Sequence, residues 1–300
     1  ETHNLYIAKS KIALISDDFL DASEVVDADG LEVLPGIIDP HVHFELDLGK
    51  YKSVDDFYHG TVAAAYGGVT SIVDFLDPVS NAEELQVAFD KRMALAKNSV
   101  ADFHLHACLK NPTGDLEEFV KKMKSLDMHT LKIFTTYSDS GRRTYEKDII
   151  KLLELSDKYK FLLLVHAEND DLIVLKKDFT YQDLPISRSS EAERTEALHL
   201  AKLVRHHGGK LYMVHLSDGH TLEALIENYS DILNKRFFVE SCPQYFTFTN
   251  DDLQREDGYL YSFAPPLRDF VSRKMLFVNQ KHIDTIGTDH CAFNIADKKG

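Results

Sequence analysis

The chain has 300 residues, 44% hydrophobic and 28% charged, with no uncharged apolar run long enough to cross a bilayer. Its formal charge of −15 excludes the dense basic surface that nucleic acid or an anionic membrane would require, and leaves small molecules as the expected partners. Three cysteines, Cys108, Cys242 and Cys291, are odd in number and widely spaced, which fits reduced thiols in a cytoplasmic protein better than a disulfide framework.

Residues 1–34 read as short strands, "NLYIAK", "KIALIS" and "LEVLP", without helices between them. They are expected to form part of a small, incomplete β-sandwich domain. After them, eight apolar, β-branched runs alternate with amphipathic segments: "VLPGIID", "VTSIVDF", "ADFHLHACL", "HTLKIF", "KFLLLVHAE", "KLYMVHLS", "KRFFVES" and "DTIGTDH". The intervening segments, such as "GDLEEFVKKMKSLD" and "SEAERTEALHLAKLVRHHG", repeat apolar residues at three and four, as helices covering a sheet do. Eight β-α units predict an α/β chain with a (β/α)8 TIM barrel over residues 35–300, since such barrels need roughly 250 residues. An open doubly wound sheet is the alternative. The sequence stops at "ADKKG" with no final barrel helix, and the chain is expected to be a C-terminally truncated fragment.

In such a barrel, chemistry sits where strands end and loops begin. The first run continues as "PGIIDPHVHFE", in which His41 and His43 flank one valine. Alternate residues of an extended segment share a face, so both imidazoles aim at one spot, as metal ligands would. Later runs carry Lys132, His166, His215 and Asp289 at or near their ends. Each alone has an ordinary packing explanation; four histidines, a lysine and an aspartate at one rim do not. "FHLHA" repeats the spacing with His104 and His106, but mid-run between apolar residues, so one inward core histidine or hydrogen-bond donor is expected there rather than a ligand pair. His206 and His207 end a helix before two glycines, where the helix dipole favours them.

"PGIIDPHVHF", "TLKIF" with Tyr137 following, "LLVHAEND", "HLSDGHTLEAL", "SCPQY", "APPLRD" and "IGTDHCAF" together resemble the amidohydrolase superfamily, in its dihydropyrimidinase and hydantoinase branch, from about residue 33 to residue 294. The resemblance implies a cyclic amidohydrolase with two divalent metal ions, expected to be Zn2+. It places His41, His43 and Asp289 on one metal, His166 and His215 on the other, and Lys132 between them, carboxylated by carbon dioxide to a bridging carbamate. Neutral imidazoles and oxygen ligands suit such ions, whereas a structural zinc site would use thiolates, so Cys291 is read as a small buried residue. On this pattern a hydroxide shared by the metals attacks the ring amide, Asp289 relays the proton and Tyr137 hydrogen-bonds the oxyanion.

The implied substrate is a neutral cyclic ureide, a dihydropyrimidine or 5-substituted hydantoin opened to its N-carbamoyl amino acid, with Tyr137 and Ala264 as substrate contacts. Dihydroorotases usually carry arginine where this chain has Glu45, and a carboxylate there is expected to repel an acidic substrate. Ala264 stands where dihydropyrimidinases usually have serine and allantoinases often have alanine, which makes allantoinase the alternative. Non-catalytic relatives that act as scaffolds lack ligands that are all present here. The family is commonly tetrameric, so a homo-oligomer is expected.

Overall fold

The computed structural model describes residues 3–299. The chain divides after Pro35 into two compact units.

In the first unit, β1 (Asn4–Ala8) pairs antiparallel with β2 (Lys11–Ser16). Lys9 and Ser10 between them both take left-handed backbone, at φ 52° and 61°, the twist a two-residue hairpin needs. The strand expected at "LEVLP" does not form. Leu31, Val33 and Leu34 are exposed, and among the described residues β1 and β2 pair only with each other, so that segment has no ladder to join.

The second unit is the expected barrel. Its strands are β3 (Ile37–Val42), β4 (Val69–Phe75), β5 (Asp102–Cys108), β6 (Thr130–Phe134), β7 (Leu162–His166), β8 (Leu211–Met213), β9 (Phe237–Ser241) and β10 (Thr285–Ile286). They follow one another in chain order in a single sheet, all parallel. Closure comes just past the ends of the first and last strands. His43 N donates to His290 O at 2.8 Å and Asp289 N to His41 O at 2.9 Å. Asp39 reinforces this seam by accepting Thr288 N at 3.1 Å and Thr288 Oγ1 at 2.6 Å.

Side-chain parity decides what each strand contributes. Leu131 and Ile133, Leu163 and Val165, Leu211 and Met213, and Phe237 and Val239 all join the large apolar layer between sheet and helices. Their alternates therefore point into the barrel, where Phe75, Leu164, Tyr212 and Val214 make a small interior cluster. Lys132, His166 and Glu240 share that inward parity. The covering helices start at Asp56, Asn81, Asp115, Ser189, Asp218 and Asp269, whose side chains accept the free amides of the first turn. Among the described residues, no helix is long and apolar enough to cross a membrane.

Candidate active site

His41 is the penultimate residue of β3 and His43 directly follows the strand, so the i, i+2 pair survives folding with its ring centroids 5.1 Å apart. Across the closing seam, Asp289 Oδ1 lies 3.1 Å from His41 Nε2 and 3.2 Å from His43 Nε2, and the two Nε2 atoms are 3.2 Å apart. Three donor atoms thus meet at one point. Asp289 holds left-handed backbone at φ 53°, unusual outside glycine. Such strain costs about 1–3 kcal/mol and persists only where surroundings over-determine it, as the two seam hydrogen bonds do here.

Glu240, fully buried on β9, orients this group. Its Oε1 accepts from His41 Nδ1 at 2.7 Å, which leaves Nε2 as the ring nitrogen facing Asp289. The same oxygen accepts the His215 backbone N–H at 2.9 Å, and Oε2 accepts the Tyr212 hydroxyl at 2.7 Å. Burial pushes the His41 pKa down, but the Glu240 and Asp289 carboxylates outweigh it and raise it to about 9. Burial alone would also raise the Asp289 carboxyl; the His41 charge and the two imidazole hydrogen bonds hold it well below the usual carboxylate range. His43 is pushed the other way, mainly by burial, and stays neutral at physiological pH.

His166 and His215 end neighbouring runs, and their rings pack edge to face at 4.5 Å. Burial depresses both, His166 to about 4 and His215 well below its ordinary value. His166 Nε2 is engaged by Glu168 Oε2 at 2.5 Å, and Arg188 Nε in turn donates to both Glu168 oxygens at 3.1 Å. His215 Nδ1 is buried with no hydrogen-bond partner. Lys132 is buried on β6, its Nζ 5.4 Å from the Phe75 ring centroid and 5.5 Å from that of Phe134. Among the described residues no carboxylate pairs with this amine, and burial lowers its pKa to about 8.

All six residues line one cavity of about 480 Å³, together with Tyr137 and Ala264. That volume suits a small ring with a substituent. Tyr137 follows β6 in left-handed backbone at φ 67°, its ring 5.1 Å from that of His166 and 4.7 Å from the Arg188 guanidinium. Burial raises its hydroxyl to about 12, so it stays a proton donor. The hydroxyl has no hydrogen-bond partner among the described residues.

A model of the amidohydrolase family matches residues 33–296 of this chain. The chain belongs to the amidohydrolase family. Its likeness within that family is to the hydantoinase and dihydropyrimidinase branch. D-hydantoinase of Geobacillus stearothermophilus is 33% identical over an alignment covering 99% of this chain and 65% of that protein. D-phenylhydantoinase of Escherichia coli O81 is 30% identical, covering 92% of this chain and 61% of its own. The crystal structure of dihydropyrimidinase from Brevibacillus agri superposes with a TM-score of 0.89 at 28% identity, over 98% of this chain and 66% of that one. The chain therefore spans a little under two thirds of these relatives' length.

The donor set of this amidohydrolase suits divalent cations. Donors bound at about 2.0–2.1 Å to one tetrahedral ion stand about 3.3 Å apart, close to the 3.1–3.2 Å within the His41, His43 and Asp289 group. Neutral His166 and His215, one with an unpartnered ring nitrogen, supply further imidazole donors beside Lys132.

Two expectations change. Glu45 is half-buried and does not line the cavity, because left-handed backbone at φ 48° turns the chain away directly after Phe44, so it cannot repel a substrate's acid group by contact. Cys291 is half-buried and reaches the cavity wall rather than packing in the core, though its thiol is pushed up to about 12 by burial and stays protonated. The reading of the "FHLHA" pair stands: His106 is buried, its Nε2 donating to Pro40 O at 2.9 Å and its Nδ1 accepting from Thr130 Oγ1 at 2.6 Å, while His104 is exposed, and neither joins the cluster. Glu240 and Glu168, which hold His41 and His166, were not expected. Their sequence signal is an acid at inward parity inside an apolar strand, in "KRFFVES", and an acid two residues past a strand-end histidine, in "LLVHAE".

Proposed function

We propose that the chain carries the ring-opening hydrolysis of a cyclic ureide, a dihydropyrimidine or 5-substituted hydantoin, to the N-carbamoyl amino acid. Relatives named hydantoinase and dihydropyrimidinase support the substrate class. The observation that carries the reading is the convergence of His41, His43 and Asp289 in the cavity that also holds Lys132, His166 and His215.

His41, His43 and Asp289 would hold one cation and His166 and His215 the other, with Lys132 between them. Bound divalent ions, Zn2+ in our reading, supply Lewis acidity, making water acidic near neutral pH and polarising a carbonyl. A substantial share of Lys132 is neutral amine near pH 8, and that amine can add carbon dioxide, releasing one proton and leaving a carbamate anion. Asp289, held as a carboxylate at the cavity wall, takes a proton from the attacking water and returns it to the ring nitrogen as the amide C–N bond breaks. Tyr137 donates its hydroxyl proton into a hydrogen bond with the oxygen that gains charge. Water thus adds across one amide: hydroxyl to carbon, hydrogen to nitrogen. Ala264 contributes backbone and a methyl group to the cavity, which keeps allantoin as the second candidate substrate.

Steady-state assays of metal-replete protein with dihydrouracil, hydantoin, allantoin and dihydroorotate test this reading. Turnover of dihydrouracil or a hydantoin with kcat/KM above that for allantoin is expected. Absence of turnover with every cyclic amide, in protein shown to carry metal, would contradict it.

A further inference from the structure

The loop after β6 carries two adjacent arginines with different fates. Arg143 turns outward and is fixed, with Nη1 3.3 Å from Asp170 Oδ2 and 3.2 Å from Asp171 Oδ1. Arg142 lines the cavity. Its backbone is held: Arg142 N donates to Tyr137 O at 3.0 Å, and Thr144 N closes the loop onto Phe134 O at 2.7 Å. Asp170 staples the same turn by accepting Thr136 Oγ1 at 3.1 Å and Ser138 N at 3.2 Å. Left-handed Gly141, at φ 66°, completes the reversal that brings Arg142 back beside Tyr137.

Among the described residues, the Arg142 guanidinium makes no ion pair and no side-chain hydrogen bond. It is half-buried, so it has given up part of its hydration without gaining an acceptor. Lys298 also reaches the cavity, but its Nζ donates to Ser262 O at 2.5 Å. Of the acids lining the cavity, Asp47 accepts the Gly49 amide at 2.8 Å and neither Asp47 nor Asp297 lies within ion-pair distance of Arg142. A planar donor fork in a cavity, unpaired and set on a stapled loop next to Tyr137, is suited to a carboxylate.

We propose that Arg142 forms an anion subsite that selects ring substrates bearing a short acidic arm. This rests on the ring-hydrolysis reading for the substrate's core and deepens it for the substituent. The ring amide would lie against the ligand residues and Tyr137, while the exocyclic carboxylate takes the Arg142 fork. Asp47 and Asp297 also line the cavity and disfavour such an arm beside themselves, which leaves the Arg142 fork as the place that attracts it. The preference for an acid is therefore opposite in sign to the repulsion expected from Glu45.

The test compares a carboxyethyl-substituted hydantoin with its carboxamide isostere, which has the same shape without the charge. Titration calorimetry on the full chain freed of metal reads binding whether or not the ring opens. The acid should bind at least about tenfold tighter than the amide, as charge-assisted pairing with a partly desolvated arginine predicts, and that ratio should collapse toward one in Arg142→Gln. Arg142→Lys should retain part of it. Equal affinity for acid and amide, or a preference that survives Arg142→Gln, overturns the subsite. A preference that Arg142→Gln abolishes, in protein whose metal-loaded form opens neither ring, supports the subsite and overturns the hydrolytic reading alone.

Discussion

His41, His43 and Asp289 meet on the seam where the barrel closes, whereas Lys132, His166 and His215 come from three strands in the middle of the sheet. The seam group is held by backbone: the hydrogen bonds that close the barrel involve His41, His43 and Asp289 themselves. Protonated His41 lies between the Glu240 and Asp289 carboxylates, which leaves the group with one net negative charge, the sign that attracts a cation. The mid-sheet group has three neutral or readily neutralised donors, and among the described residues no carboxylate forms an ion pair with the lysine. The seam therefore behaves as a preformed claw, and the mid-sheet group as a set of donors whose lysine lacks an ion-pair partner. A carbamate on Lys132 would supply an anion there, which is why the lysine's missing counter-ion carries more weight than its burial.

Removing the seam's acid breaks the comparison most severely. Asp289→Ala should lower kcat/KM on the order of 10^4-fold, since it deletes both a ligand and the proton relay. It should also reduce the metal held on the seam. Lys132→Ala attacks the other half: we expect a loss on the order of 10^3-fold with one metal equivalent gone, and partial recovery on adding short carboxylic acids with metal, because these would take the place of the proposed carbamate. Full activity of that variant without additives would contradict the carbamate.

Glu240→Gln sharpens the contrast because Glu240 touches both halves, through His41 Nδ1 and the His215 amide. Loss of such a partner behind a ligand costs about 10–100-fold in metal affinity. In the metal-free variant the His41 pKa should fall below its value of about 9, read by NMR titration of the imidazole. In wild-type protein the raised His41 pKa has two consequences of opposite sign. His41 binds its proton more tightly folded than unfolded, so the stability it contributes to metal-free protein is complete below about pH 6.5 and is lost as pH rises through about 9. A cation must displace that proton, so apparent metal affinity should rise about tenfold per pH unit over the same window and then level. Denaturant melts and metal titrations between pH 6 and 10 would show the crossing trends. The smallest effect belongs to Cys291→Ser. Cys291 is not among the donors that converge on the seam, so metal content should stay unchanged and kcat/KM within about threefold; a large loss of metal would make the thiol a participant.

Much of this was legible from strand endings. Histidines, a lysine and an aspartate closing apolar runs point to one barrel mouth because parallel β-α units deliver every strand's C-terminal end to the same face. Glu240 was not legible in the same way, since an acid in "KRFFVES" reads as a solvent-facing position until the parity of Phe237 and Val239 places it inward. Glu45 misled for a related reason. Its place two residues after His43 implies the ligands' face of a strand, but β3 ends at Val42 and the following backbone turns left-handed at Glu45. Arg142 was hidden because loop residues have no periodicity to read, and only the stapled turn shows which of two neighbouring arginines faces the cavity. The third N-terminal strand failed on partnership: its apolar alternation is real, but a strand requires a ladder as well as a pattern.

Anomalous X-ray scattering at the zinc edge, on crystals of metal-replete protein with elemental analysis of the same sample, tests the central claim most directly. The account predicts at least one metal per chain, with a peak about 2.0–2.2 Å from His41 Nε2, His43 Nε2 and an Asp289 oxygen, and a second peak on the His166 and His215 side. Protein that stays well below one metal per chain under these conditions, or a peak more than about 5 Å from the seam residues, would contradict it.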